Sequence, residues 1–158
     1  MKIKLYCIGK IKEQYLKDGI NEYVKRISPY SNVEIVEVAD SKVKDNPNSA
    51  DISKAKNEEG ERVLKLLKND YLIGLDMNKP EFTSEEFASF LDRKMVEGGS
   101  NISFVIGGSY GLSQKVKDRA NYSISLSKMT FLHQMTRLIL LEQIYRSFKI
   151  LNNETYHK

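Results

Sequence analysis

The chain has 158 residues, with 25 lysines and arginines against 21 acidic residues and a formal net charge of +4. That length suits a single domain, 1–158, burying roughly 70% of the surface its unfolded chain exposes. One cysteine, two histidines far apart in sequence (His133 and His157), no run of 18 apolar residues and no leader-like stretch behind Met1 exclude a disulfide framework, a metal-ligand spacing and a membrane span; the expectation is a soluble, cytoplasmic protein.

Strand-like and helix-like runs alternate from end to end. The first strand, Lys2 to Ile8, holds Cys7 as a core thiol. A helix over about Lys12 to Ile27 follows, with Leu16, Ile20, Tyr23, Val24 and Ile27 on one face that packs against a sheet. Val33 to Val38 is the second strand and Asp40 to Ser49 the one loop-like tract. The second helix is weaker, because Gly60 interrupts it at a cost of about 1 kcal/mol relative to alanine. Tyr71 to Leu75 is a continuous apolar run, the pattern of a strand covered on both faces. Thr83-Ser84-Glu85-Glu86 has capping-box spacing, in which the Thr83 hydroxyl and the Glu86 carboxylate each satisfy a free backbone donor, so the third helix starts there. Ile102 to Ile106 and Tyr122 to Leu126 complete the strands. The final helix, about His133 to Leu151, is apolar on more than one face, through Met135, Leu138, Ile139, Leu140, Leu141, Ile144, Tyr145, Phe148, Ile150 and Leu151. That surplus predicts a subunit interface or, alternatively, a helix buried within its own chain. The whole pattern is α/β, with a mainly parallel sheet of five or six strands and helices on both faces.

The run Phe104 to Leu112 is the most informative stretch. An apolar strand ends in Gly107-Gly108, with Gly111 three residues on, and ligands of open α/β sheets sit just beyond strand carboxyl ends. A GxGxxG fingerprint read from Gly107 needs glycines at 109 and 112, where Ser109 and Leu112 stand, and no GxxxxGK[ST] occurs, so dinucleotide and nucleoside-triphosphate sites lose support. The run reads either as a plain strand-to-helix turn or as a site in which Gly107 lets backbone approach a ligand; in the second case a side chain at 107 would fill the ligand's space. A pI near 9.0 suits an anionic partner without identifying one. With no block of five like charges, such a partner would meet a folded surface.

Several separated pieces then occur in order along the full length: Ile8-Gly9-Lys10, Glu22-Tyr23-x-x-Arg26, Leu72-Ile73-Gly74-Leu75-Asp76, the strand ending at Gly107-Gly108, Leu126-Ser127-Lys128-Met129-Thr130-Phe131-Leu132-His133-Gln134, Tyr145-Arg146-x-Phe148 and Glu154-Thr155-Tyr156-His157-Lys158. With these pieces the chain resembles the ribosomal large subunit methyltransferase H family of the SPOUT class. The resemblance implies an α/β fold with a C-terminal trefoil knot, a homodimer, and transfer of a methyl group from S-adenosylmethionine, without a metal, to N3 of a pseudouridine in 23S rRNA within the assembled ribosome; no DNA or membrane partner is expected. By position it implies cofactor-binding residues at Leu75, Gly107, Leu126, Ser127, Lys128, Met129, Thr130 and Phe131. Three strand-end loops converging on a crevice can enclose an adenosine between side chains such as Leu75, Leu126 and Phe131. Without the resemblance, Leu126 to Phe131 is an ordinary connection with Ser127 or Thr130 as a local cap. The chain departs from the family at Leu132, where a proline usually precedes the histidine of the final helix.

Displacement of a methyl group from a sulfonium needs no protein nucleophile, and no nucleophile motif is present; the N3 proton must nevertheless leave, and a positioned base assists that step. The resemblance implies His157 as the candidate base, Tyr156 as a platform for the target base and Arg146 as a phosphate contact or a charge offsetting the developing anion. From the residues alone, Tyr156 and His157 belong to a solvated tail, and Arg146 pairs with Glu142 one helical turn away. His133 and Arg137 share a helix face, where packing or capping accounts for His133. Two alternatives stay open: a non-catalytic ribosome- or RNA-binding module on the same fold, and a SPOUT methyltransferase with a different RNA substrate.

Overall fold

Apolar runs without polar alternation demand cover on both faces, and the chain supplies it by running its strands in parallel with a helix after each. The structure, a computed structural model, describes residues 1–99 and 101–158. Strands β1 (Lys2–Ile8), β2 (Asn32–Val38), β3 (Tyr71–Leu75), β4 (Asn101–Ile106) and β5 (Tyr122–Ile124) form one sheet in the order β2-β1-β4-β3-β5, every pair parallel. The helices are α1 (Gln14–Ile27), α2 (Ser49–Leu66), α3 (Ser84–Glu97), α4 (Gln114–Arg119) and α5 (His133–Leu151).

Strand alternation divides the core in two. Ile3, Leu5 and Cys7 of β1, with Ile73 of β3 and Ile102, Phe104 and Ile106 of β4, face the layer of α1, α3 and α5. Tyr6 and Ile8, with Leu72 and Val105, face α2 and α4 through Val63 and Val116. Burial pushes the Cys7 thiol up to about 12, which makes it an inert core residue at neutral pH. The Tyr6 hydroxyl donates to Asp70 at 3.0 Å.

Two helices start on capping boxes, which are local side-chain devices. The Thr83/Glu86 capping box forms as its spacing requires, and α2 carries a second one between Asn48 and Asp51. Gly60 does not break α2. A Cβ there would lie 2.3 Å from Ser113 Oγ, so the glycine lets α2 approach the start of α4.

One sequence expectation is corrected. The fifth strand ends at Ile124 rather than Leu126, because the Ser125 N–H donates to Pro80 O at 2.9 Å and the chain is taken up by the loop after β3. Part of the apolar spread of α5 is used within the chain. The helix lies between α1 and α3, and no position along it is fully exposed; Leu140, Leu141, Ile144 and Phe148 are buried in the core. Met135, Ile139, Ile150 and Leu151 are only partly buried and lie outside that core, and they are the part of the surplus that a subunit interface would use.

Candidate functional site

The carboxyl ends of β3, β4 and β5 and the first turn of α5 enclose a cavity of about 720 Å³, in the upper part of the usual small-molecule range of about 300–1,000 Å³. Of the eight expected cofactor positions, Leu75, Gly107, Leu126, Ser127, Met129, Thr130 and Phe131 line it. Lys128 does not; it is exposed and lies outside the lining. The cavity has apolar walls, and its polar groups include the Asp76 carboxylate, 3.5 Å from Lys117 Nζ.

The glycine turn owes its form to self-packing rather than to ligand space, which corrects the reason expected for Gly107. A Cβ at 107 would meet the backbone of Gly111 at 2.6–2.9 Å. The loop closes on itself through the Gly111 N–H to Gly108 O bond at 3.1 Å, with Gly111 at φ +87°, a conformation side chains resist. In the loop after β5, the Ser127 hydroxyl accepts from the Met129 N–H at 3.0 Å, a local turn bond. Thr130 caps nothing: its hydroxyl donates to Met77 Sδ at 3.6 Å across the mouth. The N-cap of α5 is Leu132, with no side-chain cap bond.

One turn into α5, Arg137 is 1% exposed. Its guanidinium reaches Glu37 Oε2 at 2.7 Å and donates to Gly9 O at 2.7 Å and Ile8 O at 3.2 Å, which ties α5 to the ends of β1 and β2. Arg137 Nε has no partner among the described residues. His133 lines the cavity; burial first, and then the Arg137 charge, hold its pKa below the ordinary histidine value, so it is neutral at neutral pH and able to accept a proton. Behind the glycine turn, the buried Glu59 accepts from the Ser41 N–H at 3.0 Å, and burial raises its pKa.

The C-terminal residues are docked rather than frayed. The Tyr156 hydroxyl donates to Glu142 Oε1 at 3.0 Å, its ring meets Tyr145 edge-on at 4.8 Å, and Arg146 lies 4.7 Å from its centroid. His157 bonds Arg146 through Nδ1 at 3.1 Å and Glu85 Oε1 through Nε2 at 2.6 Å. An arginine can only donate, so Nδ1 accepts and Nε2 carries the proton toward Glu85. The Arg146–Glu142 ion pair also forms. Both nitrogens of His157 are thus engaged, and accepting a substrate proton requires the tail to leave Arg146. Arg146, Tyr156 and His157 come together with one another but not with the cavity, which none of them lines. From His133 to Arg146 is 13 residues along α5, about 20 Å.

Asp76, Tyr110 and Lys117 line the cavity without having been proposed for it, and so does His133, for which packing or capping was the expectation. Asp76 directly follows Leu75 at a strand carboxyl end, a signal sufficient to find it; Lys117 reaches the cavity only because α4 packs beside β3, which no local pattern reveals. Among the described residues no group of three or more His, Cys, Asp or Glu side chains is placed to hold a metal ion, and no helix is long and apolar enough to cross a membrane.

A family model described as "Predicted SPOUT methyltransferase" matches residues 1–157. The chain is 51% identical to the ribosomal RNA large subunit methyltransferase H of Halothermothrix orenii and 48% identical to that of Carboxydothermus hydrogenoformans, each over 100% of both chains. Among solved structures it is similar in fold to the tRNA (m1G37) methyltransferase of Aquifex aeolicus, with a TM-score of 0.54 at 13% identity over 92% of this chain and 70% of that one.

Proposed function

Because the chain belongs to the SPOUT methyltransferase family, we propose that it transfers a methyl group from S-adenosylmethionine to N3 of a pseudouridine in 23S rRNA of the assembled ribosome, as a cytoplasmic homodimer. The observation that carries this reading is the convergence of three strand-end loops on one cavity lined by Leu75, Gly107, Leu126, Ser127, Met129, Thr130 and Phe131. The lining suits the cofactor: Leu75, Leu126 and Phe131 offer apolar walls for an adenosine, while loop backbone and Asp76 offer polar edges. When bound, S-adenosylmethionine supplies an electrophilic methyl group on a sulfonium, displaced directly by the acceptor nitrogen.

The chain's own residues then have two tasks. The cavity walls hold the donor and exclude water. The N3 proton must be accepted, by His157 once freed from Arg146, with Arg146 offsetting the negative charge that develops on the base and Tyr156 holding it. Since Arg146, on which Tyr156 and His157 dock, lies ten residues or about 15 Å along α5 from Thr136 at the edge of the cavity, a homodimer is the arrangement in which the tail of one protomer faces the cavity of its partner. The trefoil knot belongs to the same reading; it is supported by the return of the chain from β5 past the 76–81 loop, to which Ser125 bonds, before α5 enters the core.

Labelled S-adenosylmethionine incubated with unmodified intact ribosomes or free 23S rRNA, followed by mass mapping, tests this. Label on one pseudouridine of the intact ribosome is the expected result. Saturable cofactor binding without transfer to either RNA means a binding module, and label elsewhere means a different substrate. Sedimentation at micromolar concentration gives twice 18.2 kDa if the chain is a homodimer.

A further inference from the structure

We infer that the Tyr110 ring at the cavity mouth is the platform on which an unpaired base of the RNA substrate stacks, a step that rests on the methyltransferase reading above. Four large apolar side chains surround this one opening while standing in solvent: Met129 (73% exposed), Leu132 (52%), Met77 (49%) and Tyr110 (45%). A concentrated apolar rim of this kind marks a binding surface rather than scattered surface hydrophobics.

Within that rim only Tyr110 is aromatic, and its ring is free. Tyr6, Tyr23, Tyr30, Tyr122 and Tyr156 are committed to hydrogen bonds or to other rings. Tyr110 has no hydrogen-bond, ring or cation partner among the described residues, and it stands on the turn that Gly107, Gly108 and Gly111 lock by backbone contact. A two-torsion side chain on a locked turn loses little freedom when a flat ligand lands on it. Tyr156, by contrast, is half-buried against Tyr145 and Arg146.

The charges on the neighbouring loops favour a nucleotide as the occupant. Lys79 and Lys128 are exposed on the two loops that form the mouth, and neither has an ion-pair partner among the described residues, whereas the Asp76 carboxylate is already balanced by Lys117. An exposed aromatic ring at a mouth whose other loops carry free cations suits an unpaired nucleotide, with the base on the ring and the backbone phosphates drawn to the lysines. It also gives Lys128 a use outside the cofactor lining.

Steady-state methyl transfer to unmodified ribosomes at saturating S-adenosylmethionine tests the inference with wild type, Tyr110→Ala, Tyr110→Leu and Tyr110→Phe. Cofactor affinity is measured by calorimetry and assembly by sedimentation. Ala and Leu should raise KM for ribosomes about 5- to 150-fold, the range that base–aromatic stacking spans. Phe should stay within about twofold of wild type, with cofactor affinity and sedimentation alike in all four. Leu matching wild type would show that bulk suffices and overturn the stacking role. So would a loss confined to cofactor affinity, which would make the ring part of the donor site, or a weakened dimer, which would place it at a subunit interface. If wild type itself transfers nothing to any RNA, the methyltransferase reading falls first; if wild type is active and Tyr110→Ala equals it, this inference alone is wrong.

Discussion

Replacing Arg137 with methionine keeps most of the buried volume while removing the guanidinium, and the structure fixes what is lost. Two short charge-assisted bonds disappear, to Glu37 and to Gly9 O, together with a longer one to Ile8 O. Bonds of this type contribute about 1.5–3 kcal/mol each. Against that, the substitution removes a buried Nε without a partner, whose desolvation costs about 1–3 kcal/mol in the native protein. Glu37 is left with little penalty, because its side chain is 39% exposed and it keeps the Ile11 N–H at 3.1 Å. The net loss is about 3 kcal/mol, the low end of the range for breaking a buried pair. With a urea m-value of about 2 kcal/mol/M, the unfolding midpoint falls by about 1.5 M. Far-UV circular dichroism at one fixed protein concentration is the assay, since the chain has no tryptophan and assembly would make stability concentration-dependent. A shift below about 0.5 M would refute the reasoning. It would mean that desolvation of the guanidinium already cancels its bonds.

Gly107→Ala should destabilise by about 1–3 kcal/mol, because its methyl group has no room against the Gly111 backbone; calorimetry should show weaker S-adenosylmethionine binding, and unchanged affinity in a folded variant would remove the turn from the donor site. Leu132→Pro should stabilise by about 0.4–1 kcal/mol. Leu132 has φ −54°, is 52% exposed, and its N–H makes no hydrogen bond among the described residues, so a lower melting temperature would contradict this. For His133, whose folded pKa lies below its unfolded value, the unfolded state binds the proton first as pH falls below about 6.5. Its contribution is therefore fully present above that pH and is lost as pH decreases. His133→Asn should show a smaller drop in urea midpoint between pH 7.5 and 5.5 than wild type, and an equal drop would show that the ring is not desolvated.

How far the sequence revealed this molecule depends on the range of the interaction. The strand Lys2–Ile8, the span of α5 and the Thr83 cap were legible because alternation, helical periodicity and cap spacing are set by residues within a few positions. The cavity was legible through the glycine turn and the resemblance, since strand ends and tight turns leave local marks. Arg137 was not: its partner Glu37 is 100 residues away, and nothing near either residue announces the pair. The α5 composition could not separate its two readings for a related reason, because an apolar helix enclosed on two sides by its own chain has the same pattern as one enclosed by another subunit. Gly107 lines the cavity, but the reason expected for the glycine was not the one found, since backbone-on-backbone contact within a loop has no sequence signature beyond the glycines themselves.

The position of α5 at the centre of its layer also sets an order of events during synthesis. Leu5 pairs with Phe104 across the β1–β4 ladder, so β1 acquires its second neighbour only after some hundred residues have been made. The trough between α1 and α3 closes later still, when Leu140, Leu141, Ile144 and Phe148 arrive. Domains generally fold from the N-terminus as they emerge, and pairing distant segments is slow. A nascent chain grown only to residue 132 would carry an open apolar furrow, with the Ile8 and Gly9 carbonyls at the end of β1 still lacking Arg137. Such a species is a natural client for a chaperone and, left alone, a seed for aggregation.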